Sequence, residues 1–207
     1  MKRITAYVLA LVLACSCAVS MAGAYTDVPG GSALAGEVEK AVSYGLMNGY
    51  SQDRFGYSDA MTRAQFVVVL TRMMGWQTPS DEETAASITA AMALPKNLSS
   101  QYRSAIACAA AHDVIGQSEA FRPNSPATRA EMAEMLVRAL GLKSCAADAE
   151  KENSLPFTDV SDKKGYIAVA YEIGMTKGLT DTTFAPDRTA TRAQAAAMLV
   201  RIYEKLH

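Results

Sequence analysis

Histidine is almost missing from this chain. Among 207 residues there are only His112 and His207, so no Ser/His/Asp or Cys/His constellation converges for nucleophilic or acid–base chemistry. Cysteine is sparse too, at four residues, and neither Cys108 nor Cys145 has a Cys or His at zinc-ligand spacing. No glycine-rich phosphate loop occurs, and the acidic run Asp81-Glu82-Glu83 lacks the spacing of a calcium loop. No motif pairs two acids for glycoside hydrolysis. The reading is a non-enzyme with no cofactor and no metal. Basic excess is missing too: 20 Lys and Arg stand against 21 Asp and Glu, which excludes a general nucleic-acid surface. Aromatics make up only 7%. What remains is a chain half hydrophobic, rich in Ala and Met, suited to closely packed helices with methionine as core filler.

The chain has one long apolar run, and it lies at the start. Lys2 and Arg3 precede Ile4 to Ala14, and Ala22-Gly23-Ala24 is a small-residue cleavage signal before Tyr25. This is the layout of a secretory signal peptide over residues 1–24; the run is too short for a membrane span, and none is expected in the mature chain. Val12-Leu13-Ala14-Cys15 leaves a lipid-anchored alternative open. Cleavage removes two bases and no acid, so the charge goes from −1 to −3 (18 basic against 21 acidic) in 183 residues. A Cys108–Cys145 disulfide is permitted outside the cell, although Cys108 sits in an Ala-rich helical face that suits a buried thiol.

One phrase organises the rest. Thr62-Arg63-Ala64-Gln65, Thr128-Arg129-Ala130-Glu131 and Thr191-Arg192-Ala193-Gln194 recur at intervals of 66 and 63 residues, each seven residues after a phenylalanine. Such a period means a fold made by repetition. The boundaries read as repeats over 25–76, 95–142 and 157–207, with linkers at 77–94 and 143–156. Each copy opens into a first helix whose apolar residues lie three apart: Val38 and Ala41, Ile106 and Ala109, Ile167 and Ala170. A break follows, Gly45-Leu46-Met47-Asn48-Gly49 or Gly174-Met175-Thr176-Lys177-Gly178, which predicts a helix C-cap and a turn at positive φ. The loop then brings Phe55, Phe121 or Phe184 onto the core. The second helix starts at the phrase itself, with Thr as N-cap and Gln65, Glu131 or Gln194 completing a capping box. Leu70, Leu136 and Leu199 face the core; Arg72, Arg138 and Arg201 favour the negative helix end. The 77–94 linker holds an Ala-rich stretch that can form an extra helix, and the 143–156 linker is polar and expected to be exposed.

Arg63, Arg129 and Arg192 each take the first helical position. Good capping explains the threonines and the capping boxes but not three arginines. The first-turn N–H groups there have no partner within the helix. Together with a guanidinium fork they would form a receptor for a carboxylate or phosphate, and three such sites on a polymer would act with avidity.

The ordered set of aromatic-Thr-Asp-Val (Tyr25-Thr26-Asp27-Val28 and Phe157-Thr158-Asp159-Val160), first helix, Gly-Leu-Met-x-Gly, Phe-x-Pro and Thr-Arg-Ala-Glu/Gln resembles the S-layer homology domain, over nearly all of 25–206. The resemblance implies an all-α fold: three helix–loop–helix repeats in a pseudo-threefold arrangement with grooves between them. It implies a secreted protein held non-covalently at a bacterial cell wall or cell surface by a secondary cell-wall polysaccharide, often one carrying a pyruvate ketal. On that likeness Arg63, Arg129 and Arg192 contact the acid, Gly49 and Gly178 let backbone approach the sugar, and Asp27 and Asp159 shape the groove or simply hold it. Gln65, Glu131 and Gln194 belong to the same carbohydrate-binding set. The second copy departs from the pattern. It has no matching Asp, has Gln117 where the loop glycine is expected, and its loop is two residues shorter, so two competent grooves are expected before three. On this reading the repeats are expected to take up nearly all of these 207 residues, with no stretch among them for a cargo domain. The alternative is an assembly or spacer protein acting mainly through contacts with other surface-layer proteins.

Overall fold

The computed structural model describes residues 25–77, 86, 88, 90, 92, 94–116, 121–152 and 155–207. The expected signal peptide, the lipid-anchor box, Asp81-Glu82-Glu83 and Gln117 lie outside the described residues. Among those described, seven helices form the fold and there is no sheet: α1 Ala35–Ser43, α2 Arg63–Met73, α3 Ser100–Ala111, α4 Arg129–Ala139, α5 Lys143–Glu152, α6 Lys164–Glu172 and α7 Arg192–Leu206. No helix among them is long and apolar enough to cross a membrane.

Three of these starts follow directly from the repeated phrase. Thr62, Thr128 and Thr191 are extended N-caps whose hydroxyls accept the N–H of Gln65, Glu131 and Gln194, and those side chains return to the threonine N–H. The first helices end as their glycines require: Gly45 and Gly174 sit at φ +68° and +74°. Asp113 takes the same left-handed conformation in the second copy, φ 56°, a cost that Asp and Asn tolerate better than most residues. In all three copies the chain then turns inward on matching backbone bonds, from Leu46 to Ala41, Val114 to Ala109 and Met175 to Ala170.

The helices pair between copies, not within them. Each first helix packs on the second helix of the preceding repeat: α3 on α2, α6 on α4, and α1 on α7 to close the ring. At the centre the N-cap strands hydrogen-bond cyclically. Met61 N–H donates to the Ala190 carbonyl (3.0 Å), Ala190 N–H to Ala127 (3.0 Å) and Ala127 N–H to Met61 (2.8 Å). Around this axis lie Phe55, Phe66, Phe184, Leu70, Leu136, Met132 and Ile167, all essentially inaccessible. Burial of such side chains contributes about 1.5–3 kcal/mol each.

The 143–156 linker is largely exposed, as expected, but it is also helical. Its first ten residues form α5, packed on α6, with Ala146 its single buried residue. The two helices cross at Gly165, where a Cβ would stand 1.8 Å from the Ala146 carbonyl oxygen. In the 77–94 linker, Ala86, Ile88 and Ala90 are helical. Cys108 and Cys145 are free thiols, one buried and one exposed. His112 stacks flat on Trp76, with ring centroids 3.9 Å apart, a packing role.

Candidate functional site

The arginines at the starts of α2, α4 and α7 are brought to equivalent places, each reaching into the loop of the next repeat. The amides beside them are not free. Arg63 and Ala64 N–H donate to Ser125 and Pro123 carbonyls, Arg129 and Ala130 to Arg188 and Pro186, and Arg192 and Ala193 to Asp59 and Tyr57. The third amide of each helix goes to its threonine. The expected receptor of exposed first-turn amides is therefore absent. Those groups join one repeat to the next, and only the guanidinium is left to meet a ligand.

Two guanidinium groups share one geometry. Arg129 donates from Nε to the Phe184 carbonyl (2.8 Å) and from Nη2 to Lys177 (2.7 Å). Arg192 does the same to Phe55 (2.9 Å) and Asn48 (2.8 Å). Arg129 lies over the Phe184 ring and Arg192 over the Tyr50 and Phe55 rings, 4.2–5.0 Å from their centroids. The two residues are 5% and 6% exposed, yet neither forms an ion pair with a described residue. Burial, reinforced by the nearby charge of Arg188 and only partly offset by Asp159, pushes the Arg129 guanidinium down to about 10, so it is still a cation at neutral pH. Each uses two of its five N–H donors on carbonyls. A buried charge with no carboxylate in contact is unfavourable, and an incoming anion would relieve that.

Arg63 behaves differently. Its Nη2 donates to Glu131 Oε1, a partly buried ion pair across the first and second copies.

Asp27 and Asp159 hold the loops. Asp27 accepts N–H bonds from Phe55, Gly56 and Tyr57 at 2.7–2.8 Å, and Asp159 from Phe184 and Ala185 at 2.9 and 2.7 Å. The aromatic that precedes each Asp in the repeated phrase packs beside the same phenylalanine, Tyr25 on Phe55 and Phe157 on Phe184. The second copy has no such acid, and its Phe121 is only half-buried. Gly49 and Gly178 are needed for close approach. A Cβ on Gly49 would come within 2.4 Å of the Tyr25 ring and 2.8 Å of two backbone oxygens; on Gly178 it would meet Thr180 O at 2.2 Å and the Phe157 ring at 2.5 Å. These contacts are with the protein's own loop and opening aromatic.

A cleft of about 320 Å³ opens beside Arg192. The first-repeat loop (Asn48, Gly49, Tyr50), Gln65 and Arg72 of α2, and Gln101 and Tyr102 of α3 line it, with no acid among them. Tyr50 is 47% exposed, with one face against the Arg192 guanidinium. Tyr50, Gln101 and Tyr102 did not stand out in sequence, and Arg72 stood out only as one of three arginines favouring the negative helix end; α3 joins this cleft through packing between repeats. The equivalent cleft beside Arg63, about 160 Å³, is lined by Arg122, Arg138 and Lys163 but also by Glu131 and Glu134.

The comparisons with known proteins agree with this architecture. Segments 24–67, 96–133 and 156–196 match the S-layer homology domain. The chain is 31% identical to an endoglucanase of Bacillus sp. (strain KSM-635) over 78% of its own length and 17% of that protein. It is 29% identical to S-layer protein EA1 of Bacillus anthracis over 87% of its length and 20% of that protein. It is 35% identical to a cellulosome-anchoring protein of Acetivibrio thermocellus over 42% of its length and 20% of that protein. The chain thus spans a fifth or less of these relatives. With three matching segments closed into one helical ring, it belongs to the S-layer homology domain family.

Proposed function

We propose that this protein anchors non-covalently to a bacterial cell wall by binding an acidic secondary cell-wall polysaccharide in the grooves that receive Arg192 and Arg129. Family membership, the S-layer protein and the cellulosome-anchoring relative support attachment at the cell surface. The observation that carries the acidic ligand is the pair of buried guanidinium groups with no described carboxylate in ion-pair contact, Arg192 above all; Arg129 feels Asp159 only at longer range. The cleft at Arg192 adds what a sugar needs: the half-exposed Tyr50 and Tyr102 rings for stacking, and the Gln65 and Gln101 amides for hydroxyls. Arg72 supplies a second cation at its rim. A pyruvate ketal, with one carboxylate fixed on a sugar ring, fits that combination. Residues 1–24 direct export in this reading, and the protein acts as a binding module without turnover. The endoglucanase relative does not alter this, because the shared part is 17% of that protein.

The test is a pull-down with cell-wall sacculi before and after chemical removal of the non-peptidoglycan polymer. Binding should vanish with the polymer, and R192A with R72A should weaken binding to the intact wall. Unchanged binding to stripped sacculi would point to peptidoglycan or protein instead.

A further inference from the structure

The capping residue at the third position of each second helix has two jobs, and only the second repeat gives it a charge. Gln65, Glu131 and Gln194 all accept the N–H of their own threonine through one side-chain oxygen, at 2.9–3.2 Å. For Gln65 and Glu131 the other arm points to the neighbouring arginine's groove. In the cleft beside Arg192 that arm is the neutral Gln65 amide, 3.4 Å from the Tyr50 hydroxyl. Beside Arg63 it is the Glu131 carboxylate, paired with the guanidinium. The side chains of Arg63 and Glu131 are 11% and 24% exposed.

The remaining charges of that second groove are matched in the same way. Glu134 binds Arg138 at 2.8 Å and Lys163 at 2.6 Å, leaving Arg122 at the exposed rim. The first groove has two arginines and no acid. One member of the phrase therefore decides whether its groove presents an unpaired cation or a finished ion pair.

We infer that Glu131 is a built-in carboxylate that occupies the ligand's place on Arg63, closing the second groove to acidic saccharides, and that a Gln at this position leaves a groove open. This inference rests on the anionic-saccharide reading above. An incoming carboxylate at Arg63 must displace a tethered one that is already in position, whereas at Arg192 it meets a guanidinium with no rival. Recognition by a fixed partner wins because its effective concentration is far above that of a free ligand. The chain provides its own control for the substitution, since Gln65 and Gln194 show that Gln satisfies the same capping box.

The experiment uses the mature chain, E131Q and E131Q/R63A, with Q65E as the reverse change. The first readout needs no ligand: labelling by phenylglyoxal, an arginine reagent, followed by peptide mass spectrometry. Arg63 should label at least several-fold faster in E131Q than in wild type. The second readout is binding stoichiometry for a methyl glycoside of a pyruvate-ketal N-acetylhexosamine, by calorimetry. E131Q should gain one site over wild type, E131Q/R63A should lose it again, and Q65E should lose the Arg192 site. A wild-type site that R63A removes, or an E131Q variant with unchanged labelling and stoichiometry, would overturn the inference. If no variant binds the glycoside, the saccharide reading fails; the labelling comparison then still decides whether Glu131 occupies Arg63.

Discussion

Arg192 and Arg129 are cations enclosed by aromatic rings and backbone carbonyls. Two of five N–H donors on each tie down the next repeat's loop, so these side chains serve the fold as well as any ligand. A lysine in place of Arg192 would keep the charge and lose the fork. R192K should weaken acidic-saccharide binding at the first groove by about 10- to 150-fold, the equivalent of one charge-assisted hydrogen bond at about 1.5–3 kcal/mol, measured by titration calorimetry. The aspartates make a separate, ligand-free prediction. Burial pushes the Asp27 carboxyl up, but the Tyr57, Phe55 and Gly56 amides outweigh it and hold it below its ordinary value of 3.8. Asp159 is held down chiefly by the Phe184 amide. With the folded values depressed, their contribution is fully present above about pH 3.8 and is lost as pH falls through the folded values. The urea midpoint should therefore drop on acidification below pH 4, and D27N should lower it at pH 6 while flattening that dependence. An identical acid profile for D27N would rule out the clamp.

At the scale of elements, the phrase in the sequence was enough to place three helix starts to the residue, because a capping box is a local device: donor, acceptor and turn lie within four residues. The positions of the three arginines were legible through the repetition of the phrase. The fate of the first-turn amides was not. Their acceptors come from another copy, as with Arg63 and Ser125, 62 positions away, and nothing local announces such a bond. Helix α5 was also hidden. It buries one small residue, Ala146, so there is no apolar stripe to read, and its place is fixed by the close crossing at Gly165. That crossing is testable. Alanine gains about 1 kcal/mol over glycine in helix propensity, but here its Cβ would collide with backbone, and overpacking costs about 1–3 kcal/mol. G165A should lower Tm and expose residues 143–152 to limited proteolysis; a rise in Tm would contradict the crossing. The Glu-for-Gln difference was visible in sequence as a capping variant, but its effect on charge appears only once Arg63 is seen to reach Glu131.

As a whole molecule, the protein is a closed ring of three, in which each repeat gives its helix start, its arginine and its second helix to the next. The cyclic bonds among Met61, Ala127 and Ala190 and the pairing of α1 with α7 leave no repeat with both its neighbours missing. Such a ring should unfold as one unit. Fluorescence of Trp76, which stacks on His112 at the junction of the first two copies, and far-UV circular dichroism should give coincident urea midpoints. Separated midpoints would mean independent repeats. The ring also puts its three arginines in equivalent places, while the residue at one capping position makes the clefts beside Arg192 and Arg63 unlike in charge. The central claim is that the open grooves hold an acid group, and altering the ligand tests this without disturbing the fold. Binding of purified wall polysaccharide should be measured before and after carbodiimide-mediated reduction of its carboxylates to alcohols. The account predicts at least a tenfold loss of affinity on reduction, and equal affinity for the two polymers would contradict it.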